Sequence, residues 1–461
     1  ETAGNGGKIS RAKWFAAKTQ KMMFQESILQ RPPILAPQWL REIQAGDFRA
    51  QGVTQGLDLY GHGGVLPGGL WRGYTIIWQS MQTVLLLPGR NTMKGWSYVY
   101  TGANEPFEKM EFPVPEVDAN GILVRVTISS ICGSDLHGWH GDTPRAPTTI
   151  MGHEMTGRVE RLGKNVCADA AGQELREGDR IVYSYFYPCH HCQPCLSNDR
   201  HHCDARRIGA GRSRSDKPPH FTGAYAEYFY LRPGHFVLRT PDSLSDRTVA
   251  PLNCALAQVI YGLDQVNLGA GESVVIQGAG GLGLYATAVA REAGAVNIVV
   301  LDKRPDRLAM AKSFGADHVL NVDDFESLEQ RVEAVADLTG GGGHVVAELV
   351  GHPSALTEGI KMARNEGRYL VIGNISGKHS IPFNPAWLVH SNRRMVGVAG
   401  YQAWALRRGL ELLQRRGDRY PFEDILSEIY PIDQINTAFG EADKGAAIRT
   451  GLICDPKLAM L

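Results

Sequence analysis

The chain has 461 residues, 43% of them hydrophobic, which is enough for two or three domains with substantial cores. Lysine plus arginine and aspartate plus glutamate each total 48, so no global field recruits nucleic acid or an anionic membrane. The longest apolar run, residues 74–87, is interrupted by Gln79 and Gln82 and is too short for a transmembrane helix.

Residues 1–92 differ in composition and residue pattern from the rest of the chain. Basic residues dominate before Glu26, and a ragged helical stripe of apolar residues runs through the same stretch. A segment of this kind is compatible with three roles: binding a membrane surface, binding a partner, or forming a helix that docks on the rest of the protein. Proline and glycine then interrupt the pattern, and no catalytic motif occurs. We interpret residues 1–92 as an N-terminal extension of unknown role.

Short strands and turns dominate from residue 93 to about residue 240. Alternating residue types predict strands at 122–128, 157–161 and 180–185, with turn signals between them. This stretch therefore predicts a β-rich domain rather than a nucleotide-binding one.

Strand and helix patterns alternate from residue 273 to about residue 373. The predicted segments are 274–277, 282–292, 298–301, 305–314, 318–320, 344–349 and 368–372. Alternation of elements of these lengths predicts a parallel, doubly wound sheet, and hence an α/β chain. From residue 398 the pattern is mixed again, with one clear helix at 403–415.

A glycine-rich motif, G-A-G-G-L-G at residues 278–283, follows the first predicted strand of this region and opens a helix. That setting indicates a dinucleotide-binding loop. Gly278 permits the tight turn, Gly280 lets the backbone approach a pyrophosphate, and Gly283 allows the helix and strand to pack closely. Together with Gly281, these residues place the diphosphate at the helix N-terminus, where free N–H groups favour negative charge.

The next strand ends at Asp302, where a carboxylate accepts hydrogen bonds from the adenosine ribose and repels a 2′-phosphate. We therefore predict NAD rather than NADP as the cofactor. Lys303 and Arg304 follow directly, and their positive charges favour NADP instead.

Four of the eight cysteines form a closely spaced cluster: Cys189, Cys192, Cys195 and Cys203. Four thiolates at these intervals can close a tetrahedron around one zinc ion, leaving no open position, so they predict a structural site. An iron–sulfur cluster is the alternative, although the longer last interval favours zinc. Thiols kept free for metal also predict a reducing compartment, which we take to be the cytoplasm.

Cys132 in the run C-G-S-D-L-H and His153 in G-H-E are the residue types that a mononuclear zinc centre needs. By themselves they are equally compatible with a buried cysteine and a core histidine.

The order of these motifs resembles that of the zinc-containing medium-chain alcohol dehydrogenase family, over residues 93–461. The resemblance implies a GroES-like catalytic domain, residues 93–254 and 398–461, and a Rossmann domain, residues 255–397. It also implies that Cys132, His153 and Cys254 bind a catalytic zinc, and that the cysteine cluster is the family's structural zinc lobe.

Further roles follow from the same resemblance. Ser134 and His137 would relay the substrate proton to solvent, and Asp135 would orient His153. Glu154 would do likewise or bind zinc transiently. Arg307 and Arg449 lie where such enzymes contact the cofactor. Each chain would thus hold two Zn²⁺ ions.

Our leading hypothesis is a zinc- and NAD-dependent dehydrogenase that interconverts a small-molecule alcohol with an aldehyde or ketone. Three protein ligands leave one zinc position for the substrate oxygen. The alternatives are a metal-independent NAD(P)H reductase of the same fold and a non-catalytic, cofactor-binding assembly protein. Family resemblance further implies a homodimer or homotetramer. Aromatic residues in 183–187 and 225–230, with Trp139 and His140, either line the substrate pocket or belong to the core.

Overall fold

A computed structural model describes residues 93–203, 214–373 and 380–461, apart from the His201 side chain. The interpretation of residues 1–92 lies outside these ranges. No helix in the described ranges has the length and apolar character that crossing a membrane requires.

The first part of the described chain is mainly β-structure. Its strands are β1 Lys94–Tyr100, β2 Glu108–Pro113, β3 Ile122–Ile131, β4 Thr149–Ile150, β5 Glu154–Leu162, β6 Arg180–Tyr183, β7 Tyr228–Leu231 and β8 Val237–Arg239. The α-helices between and after them are short: α1 Gly133–Trp139, α2 Gln193–Leu196 and α3 Asp246–Val249. A 3₁₀ turn covers Arg200–His202, and a π-helical turn, Leu252–Leu256, leads into α4, Ala257–Gln265.

The second part alternates strands and helices, as the sequence predicts. Its elements are β9 Ser273–Gln277, α5 Gly281–Glu292, β10 Asn297–Asp302, α6 Pro305–Ser313, β11 His318–Asn321, α7 Leu328–Thr339, β12 Gly343–Glu348, α8 Pro353–Met362, β13 Ala363–Val371, α9 Ala386–Val389 and β14 Arg394–Gly397. A 3₁₀ turn, Val322–Asp324, precedes α7. Local signals set several boundaries: Pro305 and Pro353 begin their helices, while α7 is capped by Ser327 and ends at the left-handed Gly340.

The last part contains α10 Ala403–Arg416, β15 Glu428–Pro431, α11 Ile435–Asp443 and β16 Thr450–Ile453, with 3₁₀ turns at Phe422–Ile425 and Ile432–Gln434. Both β15 and β16 return to the β-rich part of the molecule, because β16 pairs antiparallel with β3. The resulting sheet has the order β15-β16-β3-β5-β6-β8, with β7 also on β3. A second, three-stranded sheet has the order β2-β1-β4.

The six-stranded sheet has the order β11-β10-β9-β12-β13-β14 and is parallel throughout. This is the doubly wound order in which ligands bind outside the carboxyl ends of the strands, where the order reverses between β9 and β12. The predicted fold class, a β-rich domain joined to a parallel doubly wound sheet, is therefore confirmed.

One large hydrophobic core joins the two kinds of sheet. It contains Leu238 of β8 together with Ile276 of β9 and Leu284 of α5. Leu406 and Leu410 of α10 belong to the same core, so this helix packs on the Rossmann side although it follows residue 398. The exact domain boundaries stay a prediction.

Candidate active site

The register of the large antiparallel sheet gathers several of the predicted site residues. Ser130 of β3 lies opposite Glu154 of β5, and Cys132 follows β3 directly and precedes α1. Cys254 comes from the π-helical turn. As a result, potential ligand atoms of Cys132, His153, Glu154 and Cys254 all lie within 4.8 Å of one another.

This donor set fits a divalent zinc ion. Thiolate and imidazole are zinc's usual ligands, and two thiols with one imidazole leave a fourth position for a carboxylate, water or substrate. The sequence named Cys132, His153 and Cys254 as the ligands and Glu154 as a residue beside them. The structure brings all four together.

Asp135 connects the candidate ligands on one side. Its carboxylate Oδ1 lies 3.6 Å from His153 Nδ1, and its Oδ2 accepts hydrogen bonds from the Tyr225 hydroxyl at 3.0 Å and from the backbone N–H of Cys132 at 3.1 Å. Asp135 is 1% exposed. This geometry suits the orienting role expected of it, because a carboxylate beside the outer imidazole nitrogen fixes the ring and its tautomer.

The backbone of His153 is held from a second direction. Its carbonyl accepts hydrogen bonds from the Tyr183 hydroxyl and from the Asn253 amide, both at 2.8 Å. The Tyr401 hydroxyl in turn donates to the carbonyl of Asn253. Sequence reasoning missed Asn253 and Tyr401, and it marked Tyr183 and Tyr225 only as pocket or core residues. For Asn253 alone a signal existed, since it precedes Cys254.

Burial and neighbouring charges shift the proton equilibria of this cluster. A hydrogen bond from Cys254 lowers the pKa of the Cys132 thiol well below its usual value, and the same bond raises the pKa of Cys254. Burial opposes protonation of His153, but the charges and hydrogen bonds of Asp135 and Cys132 together outweigh it and raise the pKa of His153. A divalent cation here would deprotonate both thiols outright.

Glu154 links this cluster to the cofactor loop. It is fully buried, and its Oε2 accepts a hydrogen bond from Nη1 of Arg449. Burial raises the pKa of Glu154 to about 7, although Arg449 acts in the opposite direction. The guanidinium of Arg449 also packs against Gly281 at the start of α5, where an added Cβ would lie 2.6 Å from its Nε.

The glycine motif has the backbone that a dinucleotide loop requires. Gly278 has φ +98°, and a Cβ on Gly283 would lie 1.8 Å from the carbonyl oxygen of Gly278, so neither position accepts a side chain. A Cβ on Gly280 would meet only Arg307, at 3.9 Å, which leaves this backbone open to a ligand. The cradle fits a pyrophosphate at the N-terminus of α5.

Asp302, at the end of the next strand, accepts hydrogen bonds from the backbone of the loop and of the residues that follow it. Its Oδ2 accepts from the backbone N–H of Ala279 at 2.7 Å, and its Oδ1 accepts from that of Arg304 at 3.0 Å. Arg307 lies beside the loop and donates to the carbonyls of Gly445 and Ala447 at 2.7 and 2.8 Å. The predicted cofactor residues thus surround one loop. Arg307 reaches from α6 to Gly445 and Ala447, and Arg449, which directly precedes β16, reaches to Gly281.

The two residues predicted to relay a proton lie on α1. Ser134 is half-buried and lies two residues after Cys132. His137, also half-buried, holds its Nδ1 3.0 Å from the carboxylate of Asp142. Because a carboxylate only accepts, this Nδ1 carries a hydrogen, and in the neutral ring Nε2 is left as the acceptor. Asp142 is a further residue that sequence reasoning missed.

The cysteine cluster forms a second candidate metal centre around α2. The Sγ atoms of Cys189 and Cys195 are 4.0 Å apart, and those of Cys192 and Cys203 are 3.7 Å apart. A tetrahedral zinc with Zn–S bonds of about 2.3 Å places its sulfurs about 3.8 Å apart. The observed spacing therefore fits a single ion, and it favours zinc over a multi-iron cluster, whose irons would separate the sulfurs.

Comparison with known proteins agrees with this architecture. Residues 118–242 match the model of the alcohol dehydrogenase GroES-like domain, and residues 281–415 match that of the zinc-binding dehydrogenase. The chain is 33% identical to 5-exo-hydroxycamphor dehydrogenase of Pseudomonas putida over 345 residues, covering 74% of this chain and 94% of that protein. It is 29% identical to L-threonine 3-dehydrogenase of Bacillus subtilis, covering 71% and 90% of the two chains.

Among solved structures, an alcohol dehydrogenase from Thermotoga maritima superposes with a TM-score of 0.73 at 31% identity, covering 78% of this chain and 99% of that one. The chain belongs to the zinc-containing medium-chain dehydrogenase/reductase family. The predicted family is thereby confirmed, and the protein is of the oxidoreductase class.

Proposed function

We propose that this protein is a zinc- and NAD-dependent dehydrogenase that interconverts an alcohol with an aldehyde or ketone. One observation carries the proposal: the Cys132, His153 and Cys254 cluster is joined to the dinucleotide loop through Glu154, Arg449 and Gly281. A hydride transfer between substrate and nicotinamide needs its two binding sites adjacent, and this contact supports such an arrangement. A metal-independent reductase would not need the three ligand residues.

Different residues of the chain take different parts in the proposed reaction. Cys132, His153 and Cys254 would hold a zinc ion, which would supply Lewis acidity to an alcohol oxygen, and bound NAD would supply the hydride acceptor. Asp135 keeps the His153 ring in place. The hydroxyl of Ser134 takes the substrate proton, and His137 passes it toward solvent from an imidazole fixed by Asp142.

NAD is favoured over NADP by the surroundings of Asp302. A 2′-phosphate on the ribose would meet the carboxylate of Asp302. The nearby cation Arg304 is already paired with Asp306, through contacts of 3.1 and 2.8 Å. This ion pair neutralises a positive charge that would otherwise attract the 2′-phosphate. We expect a lower KM for NAD than for NADP when both are tested with the same alcohol.

Aromatic rings pack beside His153, and we propose that they line the substrate pocket. The Tyr185 ring lies 5.2 Å from the His153 ring, and Tyr401 and Phe186 pack behind it at 5.6 and 5.5 Å. Such a wall favours an alcohol with an apolar carbon skeleton over a polyol. A panel of a bicyclic terpene alcohol, benzyl alcohol, threonine and sorbitol would rank these classes by kcat/KM.

The decisive experiment measures zinc and iron per chain together with NAD reduction by the alcohol panel. Wild type should hold two zinc ions and reduce NAD. Cys254→Ser should hold one and lose activity, while Cys167→Ser, at an exposed cysteine, should match wild type. One zinc unaffected by Cys254→Ser would contradict the proposal, and iron in place of zinc would contradict the assignment of the cysteine cluster.

The remaining proposals concern organisation and setting. We propose the domain limits 93–254 with 398–461 and 255–397, and a homodimer or homotetramer. We propose a reducing compartment such as the cytoplasm, because the two cysteine-containing candidate metal centres need their thiols unoxidised. Deletion of residues 1–92 tests the alternative assembly role: unchanged turnover would make that extension dispensable for the chemistry.

A further inference from the structure

Tyr401 and Gln402 connect the two candidate metal centres. Gln402 caps the start of α10, and its side-chain amide donates to the carbonyl of Asn198 at 2.7 Å, across 204 positions of sequence. Asn198 lies in the lobe of residues 189–203, where its own N–H donates to the carbonyl of Cys195 at 3.2 Å. The lobe is therefore bonded to α10 three residues after one of its candidate metal ligands.

Tyr401 continues this connection into the active site. It is 0% exposed, and its hydroxyl donates to the carbonyl of Asn253. The side-chain amide of Asn253 donates in turn to the carbonyl of His153 at 2.8 Å, and Cys254 follows Asn253 directly in the chain. Tyr401 thus bonds the one residue that contacts the backbone of two candidate ligands of the active-site metal.

The aromatic ring of Tyr401 contacts the chain between the same two centres. Tyr185, whose ring lies 5.2 Å from that of His153, packs on Tyr401 at 5.6 Å. Phe186 packs on Tyr401 at 5.2 Å, and two residues further along the chain the lobe begins at Cys189. The covalent connection from the active site to the lobe therefore passes the same ring.

We propose that Tyr401 and Gln402 are positioning residues through which the lobe sets the ligand geometry of the active-site metal. A lobe closed around zinc fixes Asn198, which anchors Gln402. The hydroxyl of Tyr401 then holds the backbone before Cys254. Hydrogen bonds are directional, and outer partners of metal ligands change metal affinity without touching the metal. The inference rests on the proposed function, in which both centres bind zinc.

The test uses Gln402→Met, which keeps the side chain's length but removes its donor, and Tyr401→Phe, both in the full-length protein. The metal centres are loaded with Co²⁺, whose visible absorption bands respond to the identity and geometry of its ligands. The bands of the active-site ion are those that are missing from Cys254→Ser. Release of Zn²⁺ to a chromophoric chelator and thermal unfolding are measured in parallel. None of these readouts depends on turnover.

Gln402→Met should shift the active-site Co²⁺ bands and speed Zn²⁺ release from that site about threefold, as expected for loss of one neutral hydrogen bond. Tyr401→Phe should do the same about tenfold, as for other outer partners of metal ligands. Because both act through one connection, the double variant should release Zn²⁺ no faster than Tyr401→Phe alone. Cys203→Ser, which removes a ligand of the lobe, should also speed release from the active site, but not in the Tyr401→Phe background.

Two controls match the chemistry of these substitutions away from the metal centres. Tyr369→Phe removes another hydroxyl of a 0% exposed tyrosine that donates to a backbone carbonyl, that of Ala355 at 2.9 Å. Gln265→Met replaces an exposed amide that donates to the neighbouring Asp264 at 3.3 Å. Both controls should keep the wild-type Co²⁺ bands and the wild-type rate of Zn²⁺ release.

An unchanged active-site spectrum and release rate in Gln402→Met would overturn the inference. The same holds if the effect of Gln402→Met or of Cys203→Ser multiplies with that of Tyr401→Phe, because the residues would then act independently. Faster release in Tyr369→Phe, in proportion to its loss of melting temperature, would show that stability alone sets the rate and would also overturn it. Wild-type protein that binds no metal at the Cys254 site would instead overturn the proposed function.

Discussion

Asp135 shows how much of the candidate metal site depends on one side chain. A single buried carboxylate serves the imidazole of His153, the hydroxyl of Tyr225 and the backbone N–H of Cys132. Substitution Asp135→Asn keeps the shape but removes the charge that raises the pKa of His153. We expect the affinity for zinc to fall by about 10- to 100-fold, as for other partners of metal-bound histidines, measured by competition with a chromophoric chelator.

Tyr225→Phe is the control for that measurement. It removes one donor to Asp135 and leaves the carboxylate charge, so its loss of zinc affinity should be clearly smaller. Circular dichroism should show that both variants are folded. Zinc retention by Asp135→Asn equal to that of wild type would show that Asp135 does not orient a metal ligand.

His235 should make the stability of the fold depend on pH. Its ring packs 4.9 Å from Tyr187, its Nδ1–H donates to the carbonyl of Arg232 at 2.9 Å, and burial lowers its pKa to about 4. An unfolded histidine has a pKa of about 6.5. Between these values the unfolded state binds the extra proton, so stability declines as pH falls from about 6.5 toward about 4.

The measurement compares melting temperatures at pH 7.5 and pH 5 for wild type, His235→Asn and the exposed control His390→Asn. The acid-induced drop should be smaller in His235→Asn than in wild type, and unchanged in His390→Asn. Equal drops in all three proteins would mean that His235 is readily protonated in the folded state.

At the scale of elements, the lobe of residues 189–203 has little regular structure to hold it. It contains one four-residue helix and one 3₁₀ turn, while backbone N–H groups of Cys189 and Cys192 donate to cysteine sulfurs at 3.2 and 3.3 Å. If this lobe binds zinc as proposed, metal binding would be the main source of its folding free energy. Cys203→Ser should lose one of two zinc ions and become sensitive to proteolysis within the lobe.

Cys167→Ser is the matched control, since Cys167 is exposed and belongs to neither thiol cluster. Its zinc content and proteolysis pattern should equal those of wild type. A Cys203→Ser protein that keeps both zinc ions and an intact lobe would contradict a structural metal here.

Elements with strong local signals were predictable, and those that depend on distant contacts were not. The buried strand β9 and the glycine turn before α5 follow from their own residues. The pattern missed α7 and α8, although the cap Ser327, Pro353 and the terminal Gly340 were available as signals. The bond between Glu154 and Arg449 joins residues 295 positions apart. The two residues meet because β5 and β16 both pair with β3.

At the scale of the whole molecule, β14 is one of several edge strands in the described structure, and it is an edge of the parallel sheet. β14 closes the parallel sheet, pairing with β13 on one side. Met395 on this strand is 38% exposed, and Val389 just before it is 70% exposed. An apolar, unpaired strand edge is a ready template for another strand. We therefore expect two copies of the chain to pair through β14 and extend the sheet across both.

Met395→Lys should weaken this association, because a charged side chain at a strand edge opposes pairing with a second edge. Light scattering on the full-length protein should show a dimer or tetramer for wild type and a smaller particle for the variant at the same concentration. Val296→Lys provides the control, since Val296 is 63% exposed and lies away from β14, just before β10; it should assemble like wild type. If Met395→Lys keeps the wild-type mass, assembly uses another surface, and the open edge of β14 remains free for a different partner.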